Sequence, residues 1–183
     1  MKTVLAMLLS GVALLAQKAP QKAPQFSASG ELLLPANYRE WVFLSSGLGM
    51  TYNPSGAAAS DPKFTNVFVN PAAYRSFLQT GKWPDQTVLV LEIRSSETQG
   101  SINQDGHYQA DLAAVEVEVK DTTRFPANGW AFFALGQASS GKLIPRTADC
   151  YSCHAEHGAV DNTFVQFYPT LLAIARQKGT LKP

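Results

Sequence analysis

Between Val115 and Val119 the chain alternates strictly, Val-Glu-Val-Glu-Val, which places valines on one face of an extended strand and acids on the other. That pattern predicts a half-buried strand within residues 110–121. Residues 64–70 (FTNVFVN), 86–96 (QTVLVLEIRSS) and 130–136 (WAFFALG) are rich in β-branched and aromatic side chains and also read as strands. Between the first two the period changes. Tyr74, Phe77 and Leu78 recur at helical spacing, Asn70 stands at the cap, Pro71 in the first turn and Gly81 beyond the end. A second helix is expected from about Thr170, with Pro169 near its start and Gly179 at its end. Near the beginning, a segment initiated by Pro35 runs into the apolar stretch Trp41 to Leu44, and residues 124–130 read as a turn. Four or five strands with hairpin-length links, and helices toward the two ends, argue for an α+β domain: an antiparallel sheet flanked by helices.

The chain of 183 residues is long enough for one domain with a sizeable core, and its 45% apolar and 16% charged residues are ordinary for a globular protein. A formal charge of +1 points to neither nucleic acid nor an anionic membrane as partner. The first stretch is different. Lys2 is followed by an apolar run from Val4 to Ala16, too short to span a bilayer comfortably and succeeded by polar QKAPQKAPQ. Residues 1–16 are expected to be a cleaved secretory signal and 17–28 a mobile tether, leaving 29–183 as the folded domain. The mature protein is then expected in a periplasm, with no membrane attachment after cleavage.

Both cysteines of the chain, Cys150 and Cys153, lie in DCYSCHAEHG at 149–158 with His154 directly after them. One disulfide across so small a loop would constrain little of the unfolded chain. A thioredoxin-like pair needs a βαβ setting that the flanks do not offer, and a structural zinc needs four ligands where only His154, His157 and distant His107 accompany the thiols. C-x-x-C-H is also the attachment signature of c-type haem. In that reading the thiols add to the two vinyl groups from one helical turn, and His154 becomes the proximal iron ligand. Attachment outside the cytoplasm agrees with the export signal.

A low-spin electron carrier would take Met or a second His as sixth ligand. Met50 is the one methionine left after the signal, in the loop-like SSGLGMTYNPSG; His107 sits in a turn region, and His157 is too near His154 to reach the opposite face. The expectation is therefore a five-coordinate iron, open to a small molecule.

The blocks GELLLPANYREWVFL, FVNPAAYRSFLQTGKWPDQTV, VKDTTRFPANGWAFF and CYSCH followed by DNTFVQFYP resemble, in order and spacing, the cytochrome P-460 family, including its gas-binding cytochrome c′-beta branch. The resemblance implies an antiparallel sheet with flanking helices, one covalently attached haem c, and a homodimer. It implies either hydroxylamine oxidation or the binding of nitric oxide or a similar gas, with a periplasmic redox partner compatible with both. Position by position, Cys150, Cys153 and His154 match the attachment and proximal sites, and Glu116 the distal carboxylate that relays protons in the oxidising members. Leu91 stands where those members carry the lysine that cross-links to the porphyrin, and Thr65 where they carry a distal arginine. Lys63, on the face of Thr65, is an unexpected position from which a cross-link could come. Phe64, Phe68, Phe132 and Phe133 are the expected aromatic cap over the distal pocket, and an apolar Leu91 there favours neutral diatomic ligands.

Overall fold

The structure, a computed structural model, describes residues 23–52 and 61–182. The expected signal segment and the first residues of the tether lie outside them. Among the described residues seven strands form one antiparallel sheet: β1 (Leu32–Leu33), β2 (Val42–Leu48), β3 (Phe64–Val69), β4 (Val88–Glu97), β5 (Tyr108–Lys120), β6 (Trp130–Gly136) and β7 (Ser140–Leu143). Their spatial order is β1-β7-β6-β5-β4-β3-β2. Three α-helices among the described residues accompany the sheet: α1 (Pro71–Thr80), α2 (Asp149–His157) and α3 (Pro169–Lys178). The α+β expectation holds, with more strands than the sequence announced. The Pro35 segment contributes a single 3-10 turn at Tyr38–Glu40, and its apolar run Trp41–Leu44 enters β2. No helix among the described residues is long and apolar enough to cross a membrane.

The strands alternate as the sequence pattern requires, and the sheet therefore has two unlike faces. Val88, Val90, Val115, Val117, Val119 and Phe133 point to one face and close a core with Leu32, Tyr38 and Phe125. Residues 25 and 26 belong to this packing rather than to a tether: Leu33 N donates to Gln25 O at 2.8 Å, and the Phe26 ring lies 5.8 Å from that of Phe133. Leu89 and Leu44 point to the other face, where α1 and α3 pack through Phe77, Leu171 and Ala175.

Helix α1 starts and stops where Pro71 and Gly81 predict, and Gly81 adopts φ 69°, the left-handed conformation that ends the helix. Asn70, however, does not cap it through its side chain. Its Oδ1 accepts from Val88 N at 2.9 Å and its Nδ2 donates to Gln86 O at 2.9 Å, so the residue ties α1 to the start of β4. Two anchors then hold the segment after α2. Trp83 Nε1 donates to Thr163 Oγ1 at 2.8 Å, and Lys120 Nζ reaches both Trp83 O and Asp161 Oδ2, at 2.8 and 2.9 Å.

Candidate functional site

Helix α2 carries both thiols. Cys150 and Cys153 are one turn apart on it, free, half-buried, and on the wall of a cavity of about 550 Å³. That volume lies within the ordinary range of small-molecule sites. The helix is docked on the sheet by Tyr151, whose ring meets Phe132 edge-on with centroids 4.7 Å apart and whose hydroxyl donates to Ile144 O at 3.2 Å. The two cysteines of Cys-Tyr-Ser-Cys-His therefore line the cavity while its tyrosine is buried against Phe132.

His154 is held more tightly than either thiol. Its ring is sandwiched between Phe132 and Phe164, each centroid 4.4 Å away. Nδ1 lies 2.7 Å from the carbonyl oxygen of Asn162. A carbonyl can only accept, so Nδ1 bears the proton and Nε2 keeps its lone pair for a metal. Asn162 reaches this position because the chain doubles back at once after α2. A Cβ at Gly158 would stand 2.6 Å from His154 O and 2.9 Å from Thr163 N, a closeness that only glycine tolerates. The turn beyond is closed by the Val160–Thr163 bridge.

Below the imidazole the cavity floor is a ladder of cross-strand rows. Leu89, Glu118 and Phe132 are register partners in the row nearest His154; Val67, Leu91 and Glu116 form the next, and Gly47, Thr65 and Ile93 the third. Successive rows are two residues apart, about 7 Å along the strands. Glu118 is buried, with Oε1 3.6 Å from His154 Nδ1, too long for a hydrogen bond. Burial pushes its carboxyl above the usual range, and the neighbouring imidazole offsets only part of this. Burial alone would lower the His154 pKa; the nearby Glu118 and the Asn162 carbonyl outweigh it and raise it.

The structure thus brings Cys150, Cys153, His154, Leu91, Thr65 and Glu116 to one cavity, with Lys63 also on its wall and paired to Asp61 at 2.5 Å. It does not assemble the expected aromatic cap. Phe64 and Phe68 alternate with Thr65 and Val67 and so leave the cavity face; the Phe68 ring packs on Tyr38 and Phe43, at 5.8 and 5.7 Å. Phe133 packs on Phe26 and Phe125 in the opposite core, and Phe132 flanks the His154 imidazole instead of forming a cap. His107 is exposed beside Ser96, and His157 is exposed at the end of α2. Met50 lies in the loop after β2, as expected, and lines the cavity with its side chain folded across Gly47. Tyr52 lines it too, its ring stacked on Phe164 at 6.3 Å. Glu118, Phe164 and the Asn162 carbonyl are the contributors the sequence did not single out. The Glu116/Glu118 alternation was the available signal for the first, but it reads equally well as a solvated face.

A family model, Cytochrome P460, matches residues 35–165, a span running from the Pro35 segment through α2 to Val165. This chain belongs to the cytochrome P460 family. Among curated proteins, none matches it. Membership in the cytochrome P460 family implies a haem cofactor, and the residues present fit one. A lone-paired imidazole nitrogen and two free thiols one helical turn apart share a cavity walled by Leu89, Leu91, Val67 and Ile93. For a bare metal ion the donors are too few: among the described residues no three His, Cys, Asp or Glu side chains group as such a site.

Proposed function

We propose that this cytochrome P460-family chain is an exported, monohaem c-type cytochrome that binds nitric oxide or a similar small gas. The observation that carries the reading is the cavity itself, which His154 shares with Cys150, Cys153 and a largely apolar wall, with Leu91 in the middle row of its floor. Cys150 and Cys153 would hold the porphyrin through thioethers and His154 would ligate its iron. When bound, the haem would supply an iron able to take a diatomic ligand. The chain does the rest. Asn162 fixes the imidazole tautomer, Phe132 and Phe164 hold the ring against rotation, and Leu91, Val67 and Ile93 keep water from the distal side. Export follows from the apolar run Val4–Ala16, and a homodimer from the family likeness.

Oxidation of hydroxylamine is the second reading, favoured by Glu116, which lies beside Leu91 in the cavity floor and is open to solvent, where a carboxylate can pass protons. One experiment separates the two. The chain is matured in a host that attaches haem c, and its spectra are taken with and without nitric oxide. Pigment that survives denaturing extraction, a five-coordinate ferrous spectrum and a new nitrosyl spectrum are expected. Colourless protein would overturn the reading. Turnover of hydroxylamine with an electron acceptor would move the assignment to the second, and a six-coordinate spectrum lost in Met50→Ala would replace both by electron transfer.

A further inference from the structure

Glu118 Oε1 is buried and, among the described residues, has no hydrogen-bond partner. An unpartnered buried polar atom costs about 1–3 kcal/mol, so the fold keeps this carboxyl against its own stability. The atom is held in a definite place, because Glu118 is locked between Leu89 and Phe132 in the ladder. It lies 3.6 Å from His154 Nδ1, whose proton already goes to Asn162 O at 2.7 Å. The imidazole therefore stands between two acceptors. One is a neutral carbonyl, pinned by Gly158, the 160–163 turn and the Trp83–Thr163 bond. The other belongs to a side chain and is unused.

We propose that Glu118 is a positioning residue of the iron site: its unpartnered oxygen, 3.6 Å from Nδ1, is poised as a second acceptor for the Nδ1 proton, and by closing on it strengthens His154 as a ligand and sets the reduction potential of the haem. This rests on the reading of His154 as the iron ligand. An acceptor on the outer ring nitrogen orients the ring and raises the basicity of the inner one. A more basic imidazole gives more electron density to the iron and favours its ferric state over its ferrous state. It also alters the bond that a distal ligand can make on the opposite face. The inference depends on the oxygen's position and not on a proton exchanged by Glu118.

The test uses the matured, haem-loaded chain and reads two properties that a merely structural role would not move. They are the midpoint potential, from a spectroelectrochemical titration, and the iron–histidine stretching band of the ferrous protein. Glu118→Leu keeps the bulk and removes the acceptor oxygen. It should shift the reduction equilibrium toward ferrous about tenfold, which for one electron is about 59 mV, and lower the stretching frequency. Glu118→Gln, which keeps an acceptor oxygen at the same reach, should return both toward the wild-type values. Unchanged potential and band in Glu118→Leu, with haem attached, would overturn the inference and leave the proposed function standing. A shifted potential in a protein that ignores nitric oxide would do the opposite. Should the variants not take up haem, the wild-type band alone decides. A frequency in the range of imidazoles bonded only to a carbonyl overturns the inference, and the higher range of carboxyl-bonded imidazoles supports it.

Discussion

Glu92 and Glu118 are both buried, on adjacent strands of one sheet, with 3% and 9% of their surface exposed. Glu92 pairs with Val115 across β4 and β5 and faces the closed core; Glu118 pairs with Leu89 and faces the cavity. Around Glu92 the chain supplies every partner. Tyr38 Oη donates to Oε1 at 2.5 Å, Arg39 Nε to the same oxygen at 2.7 Å, and Arg94 approaches Oε2 at 3.4 Å. Burial alone would raise its pKa; the hydroxyl and the two guanidinium groups outweigh that, and the carboxyl ends below its usual range. Around Glu118 the described residues supply nothing but an imidazole proton beyond hydrogen-bond reach, and burial wins. The same residue type at similar depth is thus a finished part of the fold on one face and an unfinished one on the other. What an orphaned carboxyl waits for is the mark of a site.

The largest expected effect breaks the finished cluster. Glu92→Leu strands the Tyr38 hydroxyl and both guanidinium groups, and should destabilise the protein by about 2–3 kcal/mol in denaturant titration. The cost stays below that of breaking a fully buried ion pair because the Arg39 side chain is 59% exposed and can turn to water. A loss well under 1 kcal/mol would mean that the cluster holds no more than a surface pair does.

The next effect concerns acid. The Glu92 pKa is depressed on folding, so its stabilisation is present above the ordinary carboxyl pKa and is lost as pH falls through the lower, folded value. The gap in stability between wild type and Glu92→Gln should be full near pH ~7 and should close below pH ~4. A gap that stayed constant into acid would detach the depressed pKa from stability.

Glu118→Leu should act in the opposite direction, raising stability by about 1 kcal/mol, since it removes an unpartnered buried polar group from an apolar wall. A loss comparable with that of Glu92→Leu would show that Glu118 has a partner after all. The contrast between the two residues would then collapse.

Much of the scaffold was legible in advance because its signals are local. Period-two valines fixed the faces of β5, and Pro71, Gly81, Pro169 and Gly179 bounded two helices nearly to the residue. C-x-x-C-H likewise named Cys150, Cys153 and His154 from spacing alone. The failures come from what local pattern cannot contain. Phe64 and Phe68 were assigned to the pocket by kind, yet one-residue alternation turned them to the other face while Thr65 took the cavity side. The strands β1 and β7 are too short to show a period, and β2 is irregular between Phe43 and Ser45. Glu118 is buried only because α2 folds over it, and Asn162 contributes a backbone oxygen, which no side-chain motif announces.

The smallest expected effect probes one bond of the finished cluster from the alkaline side. Tyr38 is buried and donates to a carboxylate, and these two causes push its pKa up to about 12 against an ordinary 10.0. A raised folded pKa means that its stabilisation is complete below the ordinary value and fades as pH climbs toward the raised one. Tyr38→Phe should therefore cost about 1 kcal/mol at neutral pH, less than Glu92→Leu because Arg39 keeps its own bond to Oε1. The variant should also be spared part of the wild type's loss above pH ~10, so that the two stability curves converge there. No such convergence is expected around Glu118, where no hydroxyl donates. If Tyr38→Phe tracked the wild type at a fixed distance into alkali, the hydroxyl would stabilise by packing, and Glu92 would owe its depressed pKa to the two arginines.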